Sequence, residues 1–310
     1  MGKECIILSS RESFLALKQA EEIKSQLESL YPSLRLKIKK VKTKVDTLKK
    51  RSLSSFDSKG IFTKELDEAL IRKEIDIAVH SLKDLPTRIP DDLTLACIPK
   101  RHSPYDALIS KGLTKLKDLP KRARIGTSSP RRKAFLLSLR GDLIVEPIRG
   151  NLDTRIRKLD NGEFDGLVLS EAAINRIGLQ NKIAEVFKDE DFLPQAGQGA
   201  LGVIVRDSDR QTKKLLEPIN HNPSYIEVMA EREFLNALGG GCRLPVGILA
   251  KIEASIIKIT SVILSPDGKK KISKNISGNI SQALSLANKL AMFFKNEGID
   301  NLWQREGSIS

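Results

Sequence analysis

Glu74-Ile75-Asp76-Ile77-Ala78-Val79-His80-Ser81 and Glu163-Phe164-Asp165-Gly166-Leu167-Val168-Leu169-Ser170 decide the fold. Each segment opens on an acidic residue, one apolar residue and an aspartate, runs on through apolar residues typical of a buried strand, and closes on a serine. A helical pattern precedes each, over residues 63–73 and 152–159. Further upstream the echo continues. Residues 5–9 are apolar, Ser10-Arg11-Glu12-Ser13 punctuates, and Phe14, Leu17, Ile23 and Leu27 recur at helical spacing. Arg124-Ile125-Gly126-Thr127-Ser128-Ser129-Pro130-Arg131 is again strand, serine pair and arginine, followed by a helix with Phe135 and Leu139. The pattern predicts two α/β lobes of similar plan, although any two βα units share such an order.

The rest of the chain fits around these lobes. Residues 34–45 alternate apolar and basic, the period of a half-exposed strand. Residues 49–60 lose periodicity and read as a loop. A crossing over 99–119 is punctuated by Ser-Pro and Lys-Gly, and a Gly-rich turn enters a buried strand over 197–206, returning the chain to the first lobe. A third module begins after Asn222-Pro223. It has a helix over 226–238, a Gly-rich loop, a hairpin turning at Pro266-Asp267-Gly268 and an amphipathic helix over 281–294. The expected division is 1–99 with 200–217, 105–194 and 222–310.

Composition narrows the function. Hydrophobic residues make up 40% and charged residues 30% of the 310 positions, a soluble balance. No apolar run is long enough for a membrane helix, and the N-terminal apolar stretch is too short for a secretory signal, so a cytoplasmic protein is expected. Cys5, Cys97 and Cys242 are too scattered for a disulfide framework, and His80, His102 and His221 have no metal-ligand spacing; no metal is expected. The net charge of +14 calls for an anionic partner. Aromatic residues at 5% and the absence of a nucleic-acid motif argue against nucleic acid and toward a small, highly charged ligand.

In Thr127-Ser128-Ser129-Pro130-Arg131-Arg132, Ser129 suits an N-cap and Pro130 the first helical position. Two arginines in a first helical turn oppose the helix dipole, which points to an anion site for carboxylates. Similar chemistry recurs at Ser9-Ser10-Arg11-Glu12-Ser13 and at Arg149-Gly150-Asn151-Leu152-Asp153-Thr154-Arg155, and Arg176 follows the strand that ends at Ser170. Open α/β sheets bind ligands at such strand ends, so a cleft lined with carboxylate clamps is expected. Lys83-Asp84 sits at another strand end and combines an anion binder with a proton carrier; an aspartate there is also an ordinary turn residue. His80 reads as a packed ring. Gly239-Gly240-Gly241-Cys242-Arg243 lifts one thiol onto a flexible loop beside an arginine. From spacing alone that loop is equally a plain turn. Cys97 and Cys5 have the neighbours of core cysteines.

Taken together, Val79-His80-Ser81-Leu82-Lys83-Asp84, Gly126-Thr127-Ser128-Ser129, Arg131-Arg132, Arg149-Gly150-Asn151 and Gly239-Gly240-Gly241-Cys242 closely resemble the porphobilinogen deaminases. The resemblance runs in order from Ser10 past Cys242 and continues more weakly beyond. It implies an α/β fold of two periplasmic-binding-protein-like lobes with mixed sheets, plus a smaller C-terminal α+β domain. It also implies a transferase of tetrapyrrole (porphyrin and haem) biosynthesis that joins four porphobilinogen molecules head to tail into hydroxymethylbilane, releasing ammonia. A dipyrromethane cofactor would be attached to Cys242 by a thioether. Asp84 matches the catalytic carboxylate. Arg11, Ser13, Ser81, Lys83, Thr127, Ser129, Arg131, Arg132, Arg149, Gly150, Asn151, Arg155 and Arg176 match positions that bind cofactor or growing chain.

The sequence departs from the family at Phe56-Asp57-Ser58-Lys59-Gly60-Ile61-Phe62, where paired glycines are usual, and at Ser55, often a lysine. That loop resembles a lid. The segment before Gly197-Gln198-Gly199 also differs slightly. Two rival readings stand beside the enzyme. A two-lobed binding protein for a polycarboxylate explains the arginines and gives no task to Lys83-Asp84 or Cys242. A nucleic-acid-binding protein rests on the charge and the basic stretch 35–51. A monomer is expected, with porphobilinogen as small-molecule partner and neither nucleic acid nor membrane.

Overall fold

The structure is a computed structural model that describes residues 5–42, 63–188, 190–239 and 245–299. In chain order its strands are β1 (Cys5–Arg11), β2 (Arg35–Val41), β3 (Ile77–Ser81), β4 (Leu93–Cys97), β5 (Asp106–Ser110), β6 (Arg124–Gly126), β7 (Ile144–Glu146), β8 (Gly166–Ser170), β9 (Ile183–Phe187), β10 (Leu201–Arg206), β11 (Val246–Glu253), β12 (Ile256–Leu264) and β13 (Lys271–Asn279). The helices are α1 (Phe14–Leu30), α2 (Lys64–Ile71), α3 (Pro130–Leu139), α4 (Leu152–Asp160), α5 (Glu171–Arg176), α6 (Arg210–Leu216), α7 (Asn222–Leu238) and α8 (Ala283–Asn296). Two compact units result, Met1–His102 with Gly199–Tyr225 and Ser103–Gln198 with Ile226–Ser310.

The first unit holds a mixed sheet of order β2-β1-β3-β10-β4. Strands β1, β2 and β3 run parallel, and β10 runs antiparallel to β3 and β4. β2 alternates as expected, with Leu36 buried between exposed Arg35 and Lys37. In α1, Gln19, Ala20, Ile23 and Leu27 face inward at helical spacing, and the Ser13 hydroxyl caps the helix by accepting from Ala16 N–H at 3.3 Å. Leu8, Ile23, Leu27, Ile77, Val79 and Val203 form its core.

The second unit repeats the plan with order β7-β6-β8-β5-β9. β6, β7 and β8 are parallel, while β5 is antiparallel to β8 and β9. The repeat holds at single bonds. Asp76 donates its N–H to Ile7 O (2.9 Å) and its carboxylate accepts from Ile7 N–H (3.0 Å); Asp165 does both with Arg124, at 2.8 and 2.7 Å. At the far strand ends Leu82 N–H donates to Ala200 O and Glu171 N–H to Tyr105 O, each at 3.0 Å. The two segments quoted first are therefore equivalent parts of two sheets. β3 starts only at Ile77, because Asp76 makes this turn onto β1 before the ladder begins.

The antiparallel sheet β11-β12-β13 completes the second unit, with α8 against it. The hairpin turn at Pro266-Asp267-Gly268 forms, closed by Gly268 N–H to Ser265 O at 2.9 Å. Phe234 and Phe294 meet edge-on at 5.7 Å in this module's own core, a contact worth about 1 kcal/mol beyond burial. Leu249, Val262 and Leu264 also join the core around Phe135 and Phe192. The fold class is α/β, two lobes with mixed sheets and a smaller α+β module. We retain the three-part division of the chain as a proposal that rests on that separate core.

One helix starts earlier than expected. α7 begins at Asn222 rather than 226, with Pro223 inside its first turn. Proline is tolerated there, and the His221 ring nitrogen Nδ1 accepts from Ser224 N–H at 3.3 Å, as an N-cap does. Among the described residues no helix is long and apolar enough to cross a membrane.

Candidate active site

In the second unit Ser129 caps α3 by accepting from Arg132 N–H at 3.3 Å, with Pro130 in the first turn, as the sequence predicts. The arginines that follow are not a solvated helix end. Arg131 and Arg132 are 4% and 8% exposed and share one fully buried carboxylate, Asp106. Arg131 Nη2 lies 2.7 Å from Oδ2, and Arg132 Nε lies 2.9 Å from Oδ1. Arg131 Nη1 also donates to Leu193 O at 2.7 Å and Arg132 Nη1 to Val168 O at 3.1 Å. Arg131 Nε is buried with no hydrogen-bond partner among the described residues. Burial pulls the Arg131 pKa down, and the neighbouring Arg132 charge adds to that, against the opposing pull of Asp106. The guanidinium groups stay charged, so two positive charges face one negative charge in the interior.

Arg155 adds to that excess. It donates from Nε to Gly150 O at 2.9 Å, and its pKa is also lowered, first by burial and then by the Arg132 charge. Asn151 caps α4 by accepting from Thr154 N–H at 3.1 Å, and Gly150 beside it has φ +109. A Cβ there would come within 2.8 Å of Thr154, so the turn requires glycine. Arg149 and Gly150 are exposed. Thr127 is buried and accepts from Ser129 N–H at 3.3 Å. Arg176 lies half-buried in the last turn of α5. Buried cations cost several kcal/mol each unless compensated, and here the compensation within the chain is partial. An anion would complete it.

In the first unit the corresponding turn follows β3. Ser81 ends the strand and accepts from Gln19 Nε2 at 2.7 Å. Lys83 is half-buried and Asp84 exposed in the short turn Leu82–Asp84. By strand register Leu82 corresponds to Glu171, so Lys83 and Asp84 stand where the second unit has Ala172 and Ala173. The repeat is thus chemically unequal: Lys83 and the exposed Asp84 carboxylate belong to one copy and the paired buried arginines to the other. Arg11 ends β1 half-buried and Ser13 caps α1. His80 is buried, as its reading as a packed ring requires, and its Nε2 has no hydrogen-bond partner among the described residues. Burial, aided by the Arg11 charge, pushes its pKa down to about 4, so the ring is neutral. Cys97 is a core thiol pushed up to about 12 by burial, whereas Cys5 is only half-buried.

Cys242, with Gly240 and Gly241, lies outside the described residues, as do Ser55, Asp57 and Ser58. Sequence reasoning missed Asp106 and Gln198. Neither sits in a local motif of its own, and their partners are distant in sequence; the flanking glycines of Gly197-Gln198-Gly199 were the available signal.

Comparison with known proteins bears on the same residues. A family described as "Porphobilinogen deaminase, dipyromethane cofactor binding domain" matches residues 6–214, and one described as "Porphobilinogen deaminase, C-terminal domain" matches 225–296. The chain is 44% identical to a porphobilinogen deaminase of Thermus thermophilus, over 94% of this chain and 96% of the relative. It is 42% identical to one of Alkaliphilus metalliredigens, over 91% and 90%. Among solved structures it is similar to a probable amino-acid ABC transporter extracellular-binding protein of Bacillus subtilis, with a TM-score of 0.41 and 12% identity over 69% of this chain and 89% of that one. Paired domain matches spanning both sheets and the C-terminal module, with relatives above 40% identity along nearly the whole length, make this chain a member of the porphobilinogen deaminase family.

Proposed function

We propose that this chain performs its family's reaction with the strand-end turns of its two sheets, Asp84 moving protons and the arginines holding carboxylates. The reaction joins four porphobilinogen molecules into hydroxymethylbilane with loss of ammonia. The observation that carries the reading is the excess of positive charge at the buried Arg131 and Arg132 and the half-buried Arg155, with Asp106 as the shared counter-ion of the first two. Each pyrrole ring carries two carboxylates, so a growing oligopyrrole is the kind of anion such a donor set fits. The buried Arg131 Nε, without a hydrogen-bond partner among the described residues, agrees with that fit.

When bound, the dipyrromethane supplies the free α-carbon from which the chain grows. We assign its thioether to Cys242. Arg131, Arg132, Arg149, Arg155 and Arg176 would hold acetate and propionate groups, with Thr127, Ser129, Gly150 and Asn151 shaping the turns that present them. In the first unit Arg11, Ser13, Ser81 and Lys83 would orient the incoming ring. Asp84 gives a proton to the departing amine of the substrate and later takes one from the newly joined ring carbon, so one carboxylate returns to its starting state each cycle. Its exposure suits contact with successive substrates.

We further propose a cytoplasmic monomer that binds neither nucleic acid nor membrane; the basic side chains of β2 are spread along a solvated edge strand, which supports this. The test is incubation of the purified chain with porphobilinogen, measuring ammonia and product. Four ammonia released per hydroxymethylbilane is expected. Binding without turnover would favour a polycarboxylate-binding protein instead.

A further inference from the structure

Gln198 has no part in the chemistry above, yet it is fully buried within the second unit and touches both members of the buried ion pair. Its Nε2 donates to Asp106 Oδ1 at 3.0 Å and to Pro104 O at 2.8 Å, and its Oε1 accepts from Arg132 Nη2 at 3.4 Å. The amide is ordered by charge: its oxygen faces the cation, its nitrogen the carboxylate and carbonyl. The backbone that delivers it is built for one conformation. Gly197 and Gly199 on either side have φ +70 and +87, which glycine adopts without strain. The Gly197 N–H is held by the buried Glu231 carboxylate at 2.7 Å, and Gln198 N–H returns to Gln195 O at 3.0 Å. Two left-handed glycines and a buried carboxylate are a large investment for one uncharged side chain in a turn.

We infer that Gln198 is a positioning residue for the anion site: by bridging Asp106 and Arg132 it fixes the orientation in which the Arg132 guanidinium is offered to a ligand carboxylate. Asp106 Oδ1 lies 2.9 Å from Arg132 Nε and 2.8 Å from Nη2, and Val168 O lies 3.1 Å from Nη1. The amide closes a ring of Arg132, Gln198 and Asp106 that narrows the remaining motion of Nη2 before any ligand arrives, and pre-orientation of a donor lowers the cost of binding. The role differs from that of Asp106, which supplies charge; Gln198 supplies direction. The inference rests on the reading of Arg132 as a holder of oligopyrrole carboxylates.

The experiment is cofactor loading. Unloaded protein is mixed with porphobilinogen, and the gain in intact mass is followed with time for wild type, Gln198→Glu, Gln198→Met, Arg132→Lys and the double variants. Gln198→Glu sets an anion against Asp106, and Gln198→Met keeps the volume and removes the amide, so a folding defect in one does not decide the matter. Both are expected to load about tenfold slower or worse, the scale of hydrogen bonds to a charged partner. In the Arg132→Lys background neither should add a further loss, since the group they orient is gone. Wild-type loading in Gln198→Met overturns the inference, and so do losses that multiply with Arg132→Lys. Wild-type loading in Arg132→Lys alone would instead remove Arg132 from the anion site, whatever Gln198 does.

Discussion

Asp84 and His80 lie four residues apart and call for opposite experiments. Asp84→Asn keeps size and hydrogen bonding and removes the transferable proton. Cofactor content by intact mass is expected to be unchanged while turnover falls about a hundredfold or more; near-normal turnover would take Asp84 out of the mechanism. His80 bears on stability. With a folded pKa of about 4 against 6.5 in the unfolded chain, it is neutral in both states above about pH 6.5 and contributes no pH dependence there. As pH falls from 6.5 toward 4 the unfolded chain takes a proton that the folded chain refuses, so stability is lost, by about 3 kcal/mol in full. Urea unfolding at pH 7 and near pH 4.5 should show this loss, and His80→Gln should remove most of it. An identical acid-side loss in the variant would mean another group is responsible. Asp106→Ala strands two buried guanidinium groups and is expected to cost about 3–5 kcal/mol in the unloaded protein, measured by the same unfolding.

Among the elements, the paired turns before β3 and β8 make a controlled comparison. Asp76 and Asp165 make the same two backbone contacts, but Asp76 is buried and also holds Arg206 Nη2 at 2.9 Å. Asp76→Ala should therefore cost about 3 kcal/mol, and Asp165→Ala about 1 kcal/mol. Equal costs in chemical denaturation would show that the Arg206 pair adds nothing. These turns also mark how far the sequence could be read. The acidic-x-Asp echo, the Ser129 cap and the β2 alternation were legible because each is a local pattern whose physics acts within a few residues. The start of α7 was not, because a histidine ring does the work of a usual capping side chain and Asn222-Pro223 looks like a break. Asp106 and Gln198 were invisible for a different reason. Arg132 meets them 26 and 66 residues away, and only the folded sheet brings them together. Arg131 and Arg132 were legible as an anion site, while their burial against a carboxylate of the chain was not.

For the whole molecule the governing quantity is charge. A chain of net charge +14 that, among the described residues, places two buried guanidinium groups against the single carboxylate of Asp106 resists compaction through self-repulsion. The bound cofactor's carboxylates relieve part of it, so the loaded protein should melt several degrees above the unloaded one. Coincident melts would mean that the arginines do not engage the cofactor. The repeated sheets differ in the same terms: one copy has Ala172 and Ala173 at the strand-end turn and holds the buried arginines, and the other carries Lys83 and Asp84. The most direct measurement is the intact mass of the purified protein, alone and as Cys242→Ser. The account predicts one added dipyrromethane on the wild-type chain and the bare polypeptide mass for the variant. A wild-type chain at its bare mass after incubation with porphobilinogen, or an adduct that survives in Cys242→Ser, would contradict it.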